Sequence, residues 1–257
     1  FLTCTLPTPI GVVDTGVDLS HPALAGAEIQ LETVRRADRR PSDRTHGTGV
    51  VSLLVGQPGS RVVGIAPRAK VIAVDVFHRA GSTDATDAFD LIAALDVLAA
   101  RGVSVVNMSL SGPENPLLQR AVARLADRGT TIVAAAGTPS GARSGYPARY
   151  DGVFAVAAVD QSLKASRLSA RGDHIALSAP GVGIPVAALG GSSRLASGTS
   201  FAAPFVSAAV AITKAQAGGD RHVTIETLRG LAKDLGAPGR DPIFGWGLVQ
   251  FPPMGGC

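Results

Sequence analysis

The chain has 257 residues, 46% hydrophobic and 17% charged, a composition that suits one large globular domain. Its 31 Gly and 17 Pro fall short of the roughly 25–30% that marks low complexity, and no apolar stretch approaches the roughly 18 residues of a membrane span. A net charge of +4 from 24 basic and 20 acidic residues favours solubility and weak attraction to anions, without the signature of a nucleic-acid binder.

In chain order, Ile10–Val13 reads as a buried strand ending at Asp14, and an apolar helical run follows His46. Val71–Val76 is a second strand, followed by a helix from Ala85 to Ala100 that Gly102 stops. Val103–Met108 is the next strand. Pro116 then opens a helix to Asp127, with Asn115 as its cap. Thr131–Ala136, Phe154–Val159 and Ile175–Ala179 read as further strands, and Val186–Leu189 as one arm of a hairpin through Gly190–Gly191. Helices are expected from Ser200 to Ala217 and from Thr224 to Ala232. Strands alternating with helices imply an α/β fold, a mostly parallel central sheet with right-handed crossovers and helices on both faces.

In such a sheet the functional groups belong at the carboxyl ends of the strands. Asp14 stands at one such end, in Asp14-Thr15-Gly16-Val17-Asp18. His46 stands in His46-Gly47-Thr48-Gly49, and Ser200 in Gly198-Thr199-Ser200-Phe201-Ala202-Ala203-Pro204 at the mouth of the long helix. Singly each has an ordinary structural reading; together they run in the order Asp, His, Ser, one of three unrelated orders in which a serine triad occurs. Asn107-Met108-Ser109-Leu110, Ala134-Ala135-Ala136-Gly137, Gly145-Tyr146-Pro147, Ser178-Ala179-Pro180-Gly181 and Gly245-Trp246-Gly247-Leu248 follow in register. With these motifs the chain resembles the subtilases, the subtilisin-like serine proteases, from Ile10 to Val249. An α/β-hydrolase is disfavoured, since no Gly-x-Ser-x-Gly elbow occurs.

The resemblance implies a three-layer subtilisin-like fold, a single peptidase domain spanning 1–257, and a serine endopeptidase working through an acyl-enzyme. Ser200 would be the nucleophile, His46 its base and Asp14 the group that orients the imidazole. The oxyanion would be held at Ser200 and at Thr138, which stands where the family usually has Asn. Losing that amide costs subtilisin about 100- to 1000-fold in turnover, and a β-branched hydroxyl has shorter reach. Substrate backbone would pair with His78–Thr83 (His78, Arg79 and Gly81 among them) and with Ser109–Gly112. A primary pocket between Ser109, Leu110, Ser111 and Ala135, Ala136, Gly137, with Gly145 at its base, has small walls and suits a large apolar side chain.

Other departures are Gly49, where a second His is common, and Phe201, where Met is frequent. The loop Val55–Val63 lacks the Asn and Asp oxygens of the family's usual calcium site. No cofactor is needed for the chemistry, no metal site is expected, and structural calcium elsewhere is left open. Arg35, Arg36, Arg39 and Arg40 are expected to be a solvated loop rather than an acidic-substrate site, and Arg143 likewise. Cys4 and Cys257 either pair across the termini, for roughly 5 kcal/mol in the chain-entropy model, or are unrelated thiols. Starting at Phe1, the chain reads as the mature or excised part of a secreted precursor, with a propeptide and peptide or protein substrates as partners and no nucleic acid. Thr138 keeps two alternatives open: a peptidyl ligase, cyclase or narrow maturation protease, and a weakly active pseudoprotease that binds peptides.

Overall fold

The computed structural model describes residues 5–139 and 144–253; Cys4, Cys257 and Arg143 lie outside them. In chain order come β1 (Ile10–Asp14), β2 (Ile29–Thr33), α1 (Thr45–Val55), β3 (Val71–Asp75), β4 (His78–Ala80), β5 (Thr83–Ala85) and α2 (Ala88–Ala100). They are followed by β6 (Val105–Met108), β7 (Gly112–Pro113), α3 (Pro116–Asp127), β8 (Thr131–Ala135), β9 (Ser144–Tyr146) and β10 (Phe154–Val159). The chain continues through β11 (Ile175–Pro180), β12 (Ile184–Ala188), β13 (Ser192–Ala196), α4 (Thr199–Gln216) and α5 (Arg221–Leu231).

Seven strands form one sheet in the order β11-β10-β8-β6-β1-β3-β2, and every pair in it is parallel. The central strands are apolar runs buried on both faces, as a doubly covered parallel sheet requires. Alternate residues face opposite layers: Val12 packs with α1 and α4, through Val51, Leu54 and Val206. Its neighbour Val13 packs with α2 and α3, through Leu95, Leu98 and Val122. The chain passes from β3 on one side of β1 to β6 on the other, so the end of β1 is the switch point where the flanking loops part. Asp14 occupies that position.

Helix boundaries follow local chemistry. The Asn115 side chain accepts from the N–H groups of Leu117 and Leu118 ahead of Pro116, so α3 begins where the sequence predicts. Helix α2 begins at Ala88 rather than Ala85, because Asp87 caps it and residues 83–85 pair with β4 instead. Helix α5 starts three residues early, since Asp220 accepts from Val223 N–H and serves as its cap. Edge strand β2 was not foreseen; it has no apolar run, only the half-buried alternation Ile29-Gln30-Leu31-Glu32. At the far end of α4, buried Lys214 donates to the carbonyls of Ser104 (3.0 Å) and Gly129, joining the entries of β6 and β8. Burial, with Arg221 nearby, holds its ammonium down to about 8.

Candidate active site

Asp14 is buried at the end of β1, and its Oδ1 accepts from Thr15 N–H (2.7 Å) and from His46 Nδ1 (2.7 Å). A carboxylate oxygen can only accept, so Nδ1 carries the proton and Nε2 is left as the basic nitrogen. The start of α1 is locked against this strand end by the residues around His46. Gly47 N–H donates to Thr15 Oγ1 (2.8 Å), and Asp18 N–H donates to Thr48 Oγ1 (2.8 Å). A Cβ on Gly47 would lie 2.3 Å from the Thr15 carbonyl oxygen, so only glycine permits this approach. The motif His46-Gly47-Thr48 is thus a clamp that sets the imidazole over Asp14. Burial disfavours the imidazolium, but the charge and hydrogen bond of Asp14 outweigh it, with Arg194 opposing and Asp43 assisting, so His46 titrates above its ordinary 6.5.

Ser200 sits in the first turn of α4, where backbone N–H groups have no intrahelical acceptor and the helix dipole is positive. Pro204 lies inside the same helix and has no N–H to give the carbonyl four residues back. That carbonyl, of Ser200, accepts instead from Ser109 Oγ (2.7 Å), while Ser200 Oγ donates to the Ser109 carbonyl (3.1 Å). Behind them, Asn107 Nδ2 donates to Ser109 Oγ (2.9 Å) and Ser207 Oγ donates to Asn107 Oδ1 (2.9 Å). This buried network pins the mouth of α4 to the end of β6. No hydrogen bond joins Ser200 to His46; the hydroxyl is directed to Ser109 and the imidazole Nδ1 to Asp14.

Phe201, the neighbour of Ser200 in the chain, reaches the imidazole. Its ring packs on the His46 imidazole (centroids 5.4 Å apart), and the Arg194 guanidinium lies 5.8 Å over the same ring. A Cβ on Gly49 would already touch Phe201 Cε1 and Val186 Cγ2 at 3.4 Å. The two departures from the family pattern are therefore one: the absent side chain at 49 makes room for the ring at 201.

The sequence model of the Subtilase family matches residues 8–247. The chain belongs to the subtilase family. It is 33% identical over 250 residues to the minor extracellular protease Epr of Bacillus subtilis, covering 94% of this chain and 37% of that protein. Subtilisin E of Bacillus subtilis is 34% identical over 211 residues, 79% of this chain and 54% of that protein. The chain thus spans only about a third to a half of the length of these relatives. Among solved structures, the patellamide maturation protease PatA superposes with a TM-score of 0.81 at 27% identity, covering 96% of each chain. The PatG macrocyclase in complex with peptide superposes at 0.80 with 21% identity, covering 94% of this chain and 88% of that one, a likeness of fold.

Within this subtilase the remaining predicted residues fall into two groups. Ser111, Gly137 and Gly145 come together: a Cβ on Gly137 would reach Ser111 Oγ at 2.9 Å and the Gly145 Cα at 3.9 Å. Gly145 lies on β9, which pairs with β7 through Gly112–Tyr146. Leu110 is half-buried, whereas the side chains of Ala135 and Ala136 belong to the core. Thr138 is exposed just beyond β8. His78 and Arg79 are occupied on both sides, since β4 pairs with β5 and also bridges Pro41. Arg79 N–H donates to the Arg40 carbonyl (3.0 Å) and its guanidinium meets Asp43 and Asp84. Gly81 makes the turn of that hairpin, so the edge left for an incoming strand is Thr83–Ala85. A cavity of about 400 Å³, lined by Phe77, Ala85, Leu110, Leu118 and Tyr146 among others, lies between this edge and residues 110–113.

The basic cluster at 35–40 is largely neutralised rather than free: Arg35 meets Asp75, Arg36 meets Asp38, and Arg39 meets Asp87 and Asp90. Among the described residues no three His, Cys, Asp or Glu side chains gather to hold a metal ion, and no helix is long and apolar enough to cross a membrane. Sequence reasoning missed the supports: Asn107, Ser207, Thr15 and Ser42, whose Oγ accepts from Gly16 N–H and donates to Asp75. Asn107 was readable in part, as the head of Asn107-Met108-Ser109-Leu110; Ser207 carried no local signal.

Proposed function

We propose that this subtilase is a serine endopeptidase. The observation that carries the reading is the buried Asp14–His46 couple, 2.7 Å apart, packed through Phe201 beside a serine at the mouth of α4. Rotation of the Ser200 hydroxyl from the Ser109 carbonyl toward His46 Nε2 lets the imidazole take its proton as Oγ attacks the scissile carbonyl. His46 then gives that proton to the departing amine, leaving an acyl-enzyme. Water, deprotonated by the same imidazole, releases the acid and returns the proton to Ser200. Asp14 holds the imidazolium while it lasts. The Ser200 N–H at the helix mouth, with Thr138 opposite, receives the oxyanion.

Substrate backbone adds as a strand between Thr83–Ala85 and Ser109–Gly112. The small walls at Ser111, Gly137 and Gly145 leave space for a large apolar P1 side chain. Extracellular action is supported by the relative Epr, whose name states it. A second reading, transfer of the acyl group to an amine as a ligase or cyclase would perform it, is favoured by Thr138 in the oxyanion position. A structural relative that is a maturation protease is in keeping with it.

The test is turnover of an apolar tetrapeptide ester with an amine nucleophile present, beside Ser200→Ala, with products read by mass. Acid product lost in the variant is the expected result. Amide product in excess moves the assignment to acyl transfer. No product from folded protein that also fails to react with a fluorophosphonate would overturn it.

A further inference from the structure

A cavity of about 460 Å³ opens beside Thr138, lined by that residue with Arg149, Arg167, Ser169 and Arg171 among others, and by no acidic side chain among the described residues. Arg35, Arg39 and Arg79, by contrast, are each paired with a carboxylate, Asp75, Asp87 and Asp84. Arg149, Arg167 and Arg171 have no described carboxylate within ion-pair distance, 4.0 Å. Arg149 Nε is buried and has no hydrogen-bond partner among the described residues.

The cavity is tied to the proposed catalytic centre on two sides. Ala170 N–H, between Ser169 and Arg171, donates to the Gly137 carbonyl (2.8 Å), and Gly137 N–H donates to Thr199 Oγ1 (3.1 Å), one residue from Ser200. On the other side, a Cβ at Gly145 would stand 2.8 Å from Arg149 Nε, so that side chain backs the floor of the primary pocket. Three uncompensated cations around one opening repel each other, and an incoming anion relieves the repulsion. Guanidinium groups suit a carboxylate in particular, because their paired N–H donors match its two oxygens.

We infer that this cavity is a cationic subsite that favours substrates carrying an acidic side chain just past the scissile bond, at P1′, beside the apolar P1 pocket. The inference rests on the endopeptidase reading above and names a substrate class for it.

The test uses internally quenched peptides of one sequence in which a single Glu, or Gln as its isostere, is moved from P3 to P3′. The expected result is a Glu:Gln ratio of kcat/KM of about ten at P1′ in low salt, the scale of one or two partly screened charge pairs. The ratio falls toward one in 0.5 M salt and in Arg167→Ala/Arg171→Ala, and drops below one in Arg167→Glu/Arg171→Glu. If Ser200 reacts with a fluorophosphonate but no peptide turns over, the same ratio is read from how well each peptide protects Ser200 from that label. Cleavage or protection without acid preference, or a preference that survives removal of both arginines, overturns the subsite and leaves the endopeptidase reading intact. An unreactive Ser200 with no turnover of any peptide overturns both.

Discussion

The pairing of Gly49 with Phe201 makes a quantitative test of how the His46 side of the site is built. A Cβ at 49 would meet Phe201 Cε1 and Val186 Cγ2 at 3.4 Å, so Ala fits, whereas the branches of Leu must enter volume held by the ring. In Gly49→Leu, overpacking costs about 1–3 kcal/mol, and relief of glycine from the middle of α1 returns a little under 1 kcal/mol. The net is a modest loss. Phe201→Ala empties a site only 5% exposed, at about 3–5 kcal/mol, within the roughly 5–15 kcal/mol a domain has to lose. In the double variant the Leu branches fall into the space the ring has left. It should therefore be more stable than Phe201→Ala alone, with a coupling of about 1–3 kcal/mol. Urea unfolding followed by circular dichroism, with every chain carrying Ser200→Ala to prevent self-digestion, measures all four corners. Losses that add to within about 0.5 kcal/mol would refute the shared-volume account.

The remaining expectations are smaller in scope. Because His46 must be neutral to act as a base and titrates above 6.5, kcat/KM should rise with pH through a midpoint above that value. Arg194→Ala removes a charge that opposes the imidazolium, so the midpoint should move further up; a shift toward acid would contradict the placement of Arg194 over Phe201. Thr138→Asn should raise turnover by up to about 100-fold if residue 138 faces the oxyanion, and an unchanged kcat would show that it does not. Lys214→Met leaves the Ser104 and Gly129 carbonyls without their donor and should cost about 1–3 kcal/mol in urea unfolding. With the native ammonium held at about 8 against 10.5 unfolded, the unfolded chain binds more protons between those values. Stability of the parent relative to Lys214→Met should therefore climb from pH 8 to 10.5.

What the sequence revealed of this protein follows from where its information is local. Strands β1, β3 and β8 are apolar runs with sharp stops, β6 is one broken only by Asn107, and α3 carries its own cap and its own first-turn proline, so each could be read from a few neighbouring residues. Strand β2 could not, because it is an edge strand whose pairing with β3 is decided by position in the sheet rather than by hydrophobicity. The hairpin β4–β5 was lost to the same cause: residues 83–85 continue a helical pattern, and their partner His78–Ala80 is polar. The site divides in the same way. Asp14, His46 and Ser200 stand in motifs whose neighbours declare them. The Ser207–Asn107–Ser109 chain spans a hundred residues of sequence and joins side chains that each have an unremarkable local setting. The occupied edge at His78 was invisible for a related reason, since it depends on Pro41 arriving from another loop.

The same geometry bears on why the serine rests where it does. Pro204 is costly inside a helix because it leaves a carbonyl without its N–H, yet the carbonyl it orphans is that of Ser200, at the mouth where α4 meets β6. Ser109 fills that vacancy with its hydroxyl and presents its own carbonyl to the Ser200 hydroxyl. One residue thus satisfies the helix and parks the hydroxyl proposed as nucleophile, and Asn107 with Ser207 fixes that residue's orientation. The parked hydroxyl loses only a neutral hydrogen bond on turning to His46, worth about 0.5–1.5 kcal/mol net, so the resting contact costs little catalytically. The backbone around it stays fixed by the other three hydrogen bonds, which is the order of rigidity that an oxyanion site at a helix mouth demands.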